Sequence, residues 1–160
     1  MSFEIQDVVT ADLDTVMSIN EASVPAMNSI PLEEFEWFRQ NAAYFRVALC
    51  NGEVAGFLIC LSPQADYDSP NLRWLNDHYR EFLYIDRIAV GSGFQRRGLG
   101  RSLYDDALSF ARGEYELLAC EVNIRPRNQQ SIDFHETYGF ETVGTQDNGY
   151  VEVQFMVKQV

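Results

Sequence analysis

Alternation of apolar and polar positions divides the chain into short strand-like runs and stretches of helical period. Ser2 to Val9 alternates as a strand does, with one face for the core and one for solvent. Leu13, Val16, Met17 and Ile19 then recur at helical spacing, with Thr10 and Asp12 available as caps and Pro25 as the stop. Pro31 opens a second helix. It carries Leu32, Phe35, Trp37 and Phe38, and places Glu33, Glu34 and Glu36 near its start, where acids suit the helix dipole.

Two apolar runs, Tyr44 to Cys50 and Val54 to Leu61, flank Asn51-Gly52, the strongest short hairpin signal in the sequence. Gln64 to Tyr79 is polar, aromatic and poorly periodic, and reads as a long loop beside the site with room for a helical turn. Phe82 to Val90 is a strand, and helical period resumes from about Gly98 to Arg112. Another strand, Glu116 to Ile124, breaks at Arg125-Pro126-Arg127. Asn128 then caps a helix that runs to Tyr138, with Gly139 at its left-handed end. Phe140 to Gly144, a turn at Asp147-Asn148-Gly149, and Tyr150 to Val157 form a closing hairpin. The alternation of element types predicts a mixed α/β fold of three layers, a single domain over residues 1–160.

Composition narrows the function. The net charge is −12 with a single lysine, Lys158, so neither nucleic acid nor an anionic membrane is an expected partner. The acidic balance favours a cationic one. No apolar run approaches the length of a membrane span, and MSFEIQDVV has neither a basic leader nor a long apolar core. Cys50, Cys60 and Cys120 each fall in an apolar run. They read as buried thiols of a cytoplasmic protein, and two histidines, His78 and His135, are too few and too isolated for a metal site.

Against that acidic background the stretch YIDRIAVGSGFQRRGLGRSLYDDAL, Tyr84 to Leu108, stands out. A strand runs through a loop of glycines and arginines into the N-terminus of a helix. The first N–H groups of a helix lack internal partners and sit at the positive end of its dipole, which suits phosphate. Two nucleotide loops fail on named residues. Neither Gly91-Ser92-Gly93 nor Gly98-Leu99-Gly100 completes G-x-G-x-x-G. Gly93 and Gly98 fit the triphosphate-loop spacing, but Leu99 and Gly100 stand where that loop needs lysine and a hydroxyl. A solvated turn with no ligand is the plainer alternative.

Gln95-Arg96-Arg97-Gly98-Leu99-Gly100 does fit Q/R-x-x-G-x-G/A, an acyl-CoA loop. A second motif follows after one strand: Asn128-x-x-Ser131-x-x-Phe134-His135-x-x-x-Gly139-Phe140. In both, the chain resembles the GNAT superfamily of acetyl-CoA-dependent N-acetyltransferases, as a small bacterial-type member. The resemblance implies a GNAT fold with splayed central strands, helices on both faces, and acetyl-CoA as cosubstrate without a metal. It implies backbone contacts to CoA from Ile88, Ala89 and Val90, and phosphate contacts from Gln95, Arg96, Arg97, Gly98, Leu99, Gly100 and Arg101. Asn128, Ser131 and His135 would add further CoA contacts, and the Ile88 N–H would polarise the thioester carbonyl.

Transfer to a primary amine, a small molecule or a peptide N-terminus, requires an ammonium to lose a proton. Asp86 is the first candidate base, Glu121 the second and Glu21 the third. Many relatives protonate the departing thiolate with a tyrosine at the position that here holds His135, so His135 and then Tyr138 are the candidate acids. Trp37, Tyr67, Trp74 and Tyr84 are available to line an acceptor pocket, and the family often forms homodimers. A non-catalytic CoA-binding module is the other reading the histidine leaves open.

Overall fold

The computed structural model describes residues 3–160; Ser2, at the start of the first expected strand, lies outside the described residues. The elements are β1 (Glu4–Asp7), a 3-10 turn, α1 (Leu13–Ala22), α2 (Leu32–Asn41), β2 (Tyr44–Cys50), β3 (Glu53–Leu61), α3 (Pro70–His78) and β4 (Phe82–Val90). A second 3-10 turn precedes α4 (Leu99–Ala111), followed by β5 (Leu117–Arg125), α5 (Gln129–Tyr138), β6 (Glu141–Asp147) and β7 (Glu152–Gln159). The fold is mixed α/β, with one seven-stranded sheet in the order β1-β2-β3-β4-β5-β7-β6. The chain forms two compact units.

The first unit comprises the chain up to Leu61 together with Ile85–Phe110. β1, β2 and β3 are antiparallel neighbours. The hairpin between β2 and β3 turns at Asn51 and Gly52, with φ of 53° and 80°, the pair of positive values that a tight primed turn needs. β3 is buried from Val54 to Leu61, which explains why its sequence is continuously apolar rather than alternating. Gly56 allows the closest approach in this unit. A Cβ there would meet the Ala89 carbonyl at 2.8 Å and the Leu99 side chain at 2.9 Å, so β3 sets the position of the end of β4 and the start of α4.

The second unit comprises Ser62–Tyr84 and Ala111–Val160. Here β4 pairs with β5 in parallel through Phe82–Leu117, Leu83–Leu118 and Tyr84–Ala119. β5 and β6 flank β7, both antiparallel to it. The sequence expectation of a long loop from Gln64 to Tyr79 is corrected by α3, a helix of nine residues. Its start is well specified: the Ser69 hydroxyl accepts from the Leu72 N–H at 3.2 Å, and Pro70 takes the first helical position, where no N–H is needed. Only Leu72 and Leu75 of α3 are buried, an apolar stripe too sparse to show as a period. Trp74 stacks on Phe155 at 4.0 Å and 6°, and a Cβ on Gly144 would come within 2.4 Å of the indole. That pairing of indole and glycine locks α3 onto the β6–β7 hairpin.

Cys50, Cys60 and Cys120 are buried thiols, and burial pushes the Cys60 thiol well above its usual pKa. Among the described residues, no helix is long and apolar enough to cross a membrane.

Candidate functional site

In the first unit, β4 leads into the loop that carries the glycines. The Gly91 N–H donates to the Ala55 carbonyl at 2.8 Å, and a 3-10 turn over Ser92–Phe94 closes with Phe94 N–H to the Gly91 carbonyl at 2.9 Å. Arg96 and Gly98 then take the left-handed conformation, with φ of 62° and 79°. Left-handed residues among right-handed or extended neighbours turn successive N–H groups towards a common side, the geometry of an anion nest. α4 begins at Leu99, and the Ser102 N–H and hydroxyl both donate to the Gly98 carbonyl at 3.0 Å. Leu99 is buried, whereas Gln95, Arg96, Arg97, Gly98 and Arg101 are exposed. A Cβ built on Gly98 meets nothing within 4 Å, so the backbone there is open on that side. Exposed amides, open space and three arginines suit a pyrophosphate.

Asp86 lies two residues before Ile88 on β4, as expected, but its carboxylate is engaged. Arg87 Nε donates to Asp86 Oδ2 at 2.8 Å, with side-chain exposures of 4% for Arg87 and 6% for Asp86. The same guanidinium donates through Nη1 to Asn20 Oδ1 at 3.1 Å and through Nη2 to Asn28 Oδ1 at 3.0 Å. Asn20 Nδ2 adds a bond to the Asn28 carbonyl at 3.1 Å. Arg87 thus ties the segment between α1 and α2 to β4, and Asp86 balances its buried charge. Removing one partner of such a pair strands a buried charge and costs roughly 3–5 kcal/mol. Proton abstraction from a substrate ammonium would neutralise Asp86 and strand Arg87 in the same way. Glu21, the third candidate base, is exposed and accepts from the Ser29 hydroxyl at 2.5 Å.

In the second unit, Glu121 sits on β5 with Oε1 accepting twice: from the Tyr84 hydroxyl at 2.7 Å and from Asn71 Nδ2 at 3.0 Å. Tyr84 is 1% exposed, so its expected place in a pocket wall becomes a buried ring with its hydroxyl on a carboxylate. Trp74, also expected in that wall, is spent on Phe155 and Gly144. Two neutral donors thus hold Glu121 Oε1, whereas Asp86 Oδ2 accepts from a guanidinium.

α5 carries the second motif. The Asn128 side chain accepts from the Ser131 N–H at 3.2 Å, an N-cap, and Gly139 ends the helix at φ 112°. His135 is 5% exposed, between Phe134 and Phe140 in edge-on contacts. Its Nδ1 lies 2.7 Å from the Ser131 carbonyl. A carbonyl only accepts, so this contact favours the tautomer with the proton on Nδ1, where the Ser131 hydroxyl also lies at 3.3 Å. Burial lowers its pKa below 6.5, and the bond to Ser131 opposes that only in part. In that tautomer neutral His135 holds its proton towards the Ser131 carbonyl, an arrangement that does not favour the acid role expected of it. Tyr138, the second candidate acid, is packed against Phe134 and Phe140 beneath the Lys158 ammonium.

Sequence reasoning missed Asn71 and the partnership of Tyr84 with Glu121. Ser69-Pro70, a cap followed by the first-turn proline, was the available signal for α3; nothing local signals which carboxylate α3 reaches.

The chain is 25% identical to an N-alpha-acetyltransferase of Sulfolobus acidocaldarius over 144 residues, 89% of this chain and 82% of that protein. Among solved structures it is similar to Ard1 of Thermoplasma volcanium, with TM-score 0.81 and 21% identity, covering 100% of this chain and 99% of that one. It is also similar to yncA of Salmonella typhimurium, solved with its cofactor acetyl-CoA, with TM-score 0.73 and 19% identity, covering 99% and 94%. Residues 13–140 match the Acetyltransferase (GNAT) family, so the fold, both motifs and the relatives agree: this chain belongs to the GNAT acetyltransferase family.

Proposed function

We propose that this protein transfers the acetyl group of acetyl-CoA directly to a primary amine, either a peptide N-terminus or a small cationic amine. The observation that carries this reading is the Gln95–Arg101 loop: left-handed Arg96 and Gly98, open space at Gly98, and exposed arginines at the start of a 13-residue helix. The amides of this loop and of the first turn of α4 hold the pyrophosphate. Main-chain groups of Ile88, Ala89 and Val90 align the pantetheine arm, and α5 contributes Asn128, Ser131 and His135 as contacts. Asn128 keeps its capping bond while doing so.

Acetyl-CoA supplies a thioester whose carbonyl carbon accepts the amine nitrogen, the C–N bond forming as the C–S bond breaks. The Ile88 N–H polarises the carbonyl, a fixed dipole of a kind that contributes ~2.7–4 kcal/mol elsewhere. Glu121 draws the proton from the ammonium, directly or through water, with the Tyr84 hydroxyl holding one of its oxygens. It takes this role from Asp86 because Asp86 is committed to Arg87. Return of a proton to the sulfur is assigned to water rather than to His135 or Tyr138. The net acidity of the chain and the N-alpha-acetyltransferase relative both support a cationic or N-terminal amine.

One observation favours a second reading, a CoA-binding module without turnover: His135 stands where a donor is expected, and its Nδ1 is turned to the Ser131 carbonyl. The test is a thermal shift with CoA followed by thiol release over a panel of free amines and N-terminal peptides. Stabilisation by CoA with acceptor-dependent release supports the transferase. Stabilisation with no release for any acceptor supports the module, and no stabilisation overturns both.

A further inference from the structure

α3 lies between β3 and β4, and its first turn reaches the carboxylate to which the preceding reading assigns proton abstraction. Two contacts fix its place on the β6–β7 hairpin besides Trp74: Gln146 Nε2 donates to the Pro70 carbonyl at 3.3 Å, and Asn148 Nδ2 donates to Asn71 Oδ1 at 3.0 Å. An ionised carboxylate only accepts, so the contact to Glu121 fixes the Asn71 amide and leaves Oδ1 for Asn148. Nδ2 donates to Glu121 Oε1 at 3.0 Å, and Oδ1 accepts from Asn148. Asn148 is itself held in a turn: Arg125 bonds Asp147 Oδ1 and the Gly149 carbonyl, both at 2.7 Å, and Glu152 at 3.1 Å. A chain of donors therefore runs from the hairpin turn through Asn71 to Glu121.

We propose that Asn71 is a positioning residue for the reaction: it holds the Glu121 carboxylate in its working orientation, and Asn148 holds Asn71. This rests on the reading of Glu121 as the base. Several charged and titratable groups on the surrounding elements have partners of their own. Tyr84 on β4 donates to the same oxygen, Arg73 on α3 pairs with Asp68, and His78 stacks on Trp74 at 3.8 Å. Asp147 and Glu152 of the hairpin are held by Arg125, and Lys158 of β7 lies over Tyr138. The amide of Asn71 adds no charge of its own and does not titrate, so it restricts the Glu121 rotamer without competing for the proton.

The experiment uses the full chain and the best acceptor from the amine panel, with kcat, KM for acetyl-CoA, the pH profile of kcat/KM and the melting temperature measured for each variant. Asn71→Leu is expected to lower kcat about tenfold or more, with KM for acetyl-CoA within about twofold, and to move the acidic limb of the profile to higher pH. Asn71→Asp, which sets a second carboxylate beside Glu121, is expected to move that limb further in the same direction. Asn148→Ala should produce the same change at smaller size. Because Asn71 acts through Glu121, adding Asn71→Leu to Glu121→Gln should cost no additional activity.

Wild-type kcat and pH profile in folded Asn71→Leu would overturn the proposal while leaving Glu121 as the base. Full activity in Glu121→Gln would overturn the base reading, and the proposal with it. An additive loss in the double variant, or a loss explained entirely by a lowered melting temperature, would reduce Asn71 to a structural contact.

Discussion

The phosphate loop and the Glu121 corner are built on opposite principles. In the loop, the groups that matter are main-chain amides oriented by two left-handed residues, and its closing bonds span three or four positions, as in Ser102 to Gly98. In the corner, one carboxylate oxygen is held by side chains 37 and 50 residues away in sequence, and the amide that reaches it is held by another 77 residues away. A main-chain cradle tolerates most side-chain changes and fails only where backbone conformation is at stake. A corner assembled from three side chains fails at single atoms. The two regions should therefore respond to mutation in different ways.

The largest effect is expected at the corner. Glu121→Gln keeps the shape and an acceptor for Tyr84 but removes the base. A drop of about 10²- to 10⁴-fold in kcat/KM is expected, with the CoA-induced thermal shift retained. Asp86→Asn is the matched control on the other carboxylate. It leaves the Arg87 guanidinium facing a neutral amide in a buried site, so the loss should fall on stability, by roughly 3–5 kcal/mol, with turnover per folded molecule changed only a few-fold. The reverse pattern, turnover lost at Asp86 and kept at Glu121, would return the base role to β4.

The loop should yield a smaller effect, and one confined to CoA. At φ 79°, Gly98→Val places a β-branched side chain in the left-handed region at a cost of about 1–2 kcal/mol, or forces the loop to another shape. Both outcomes spoil the convergence of the amides, and CoA affinity should fall about tenfold, matching ~1.4 kcal/mol. Arg96→Gly sharpens the contrast. It removes a charge at a position whose φ of 62° glycine adopts readily, so calorimetry should show a loss of only about threefold, an exposed ion pair being worth ~0.2–1 kcal/mol. A greater loss at Arg96 than at Gly98 would mean that the loop works through its guanidinium groups after all.

The same division explains what could be read from the sequence. The loop was legible down to individual residues because glycine and arginine spacing is local, and so were the Asn51-Gly52 turn, the Asn128 cap and the Gly139 stop, each of which depends on backbone conformation within a few residues. The inner strands were legible through their apolar runs, whereas β6 extends to Asp147 through polar, unburied residues that read as the approach to a turn. α3 was not, because only Leu72 and Leu75 form its apolar stripe and one further anchor is an indole over a glycine, a pairing of Trp74 with Gly144 that no local pattern announces. The choice between Asp86 and Glu121 was not legible either. Both are acids within apolar strands, and what separates them is Arg87 beside one and Tyr84 with Asn71 beside the other.

His135 offers the smallest effect and a way to test whether α5 belongs to the chemistry or to the packing. Its pKa is lowered from 6.5 by burial, so below that value the unfolded chain binds a proton that the folded chain resists. Stability therefore rises with pH across the interval just below 6.5 and is lost on acidification through it, at a slope of at most about 1.4 kcal/mol per pH unit for one proton. His135→Phe removes this term. The variant also forfeits the bond to the Ser131 carbonyl, a loss of roughly 0.5–1.5 kcal/mol that does not vary with pH. The discriminating quantity is thus the difference in unfolding free energy between pH 7.5 and 5.5, which should be smaller in His135→Phe than in the wild type, while the basic limb of kcat stays where it was. A displaced basic limb, with the stability difference unchanged, would show that His135 titrates in the reaction and would restore it as the acid.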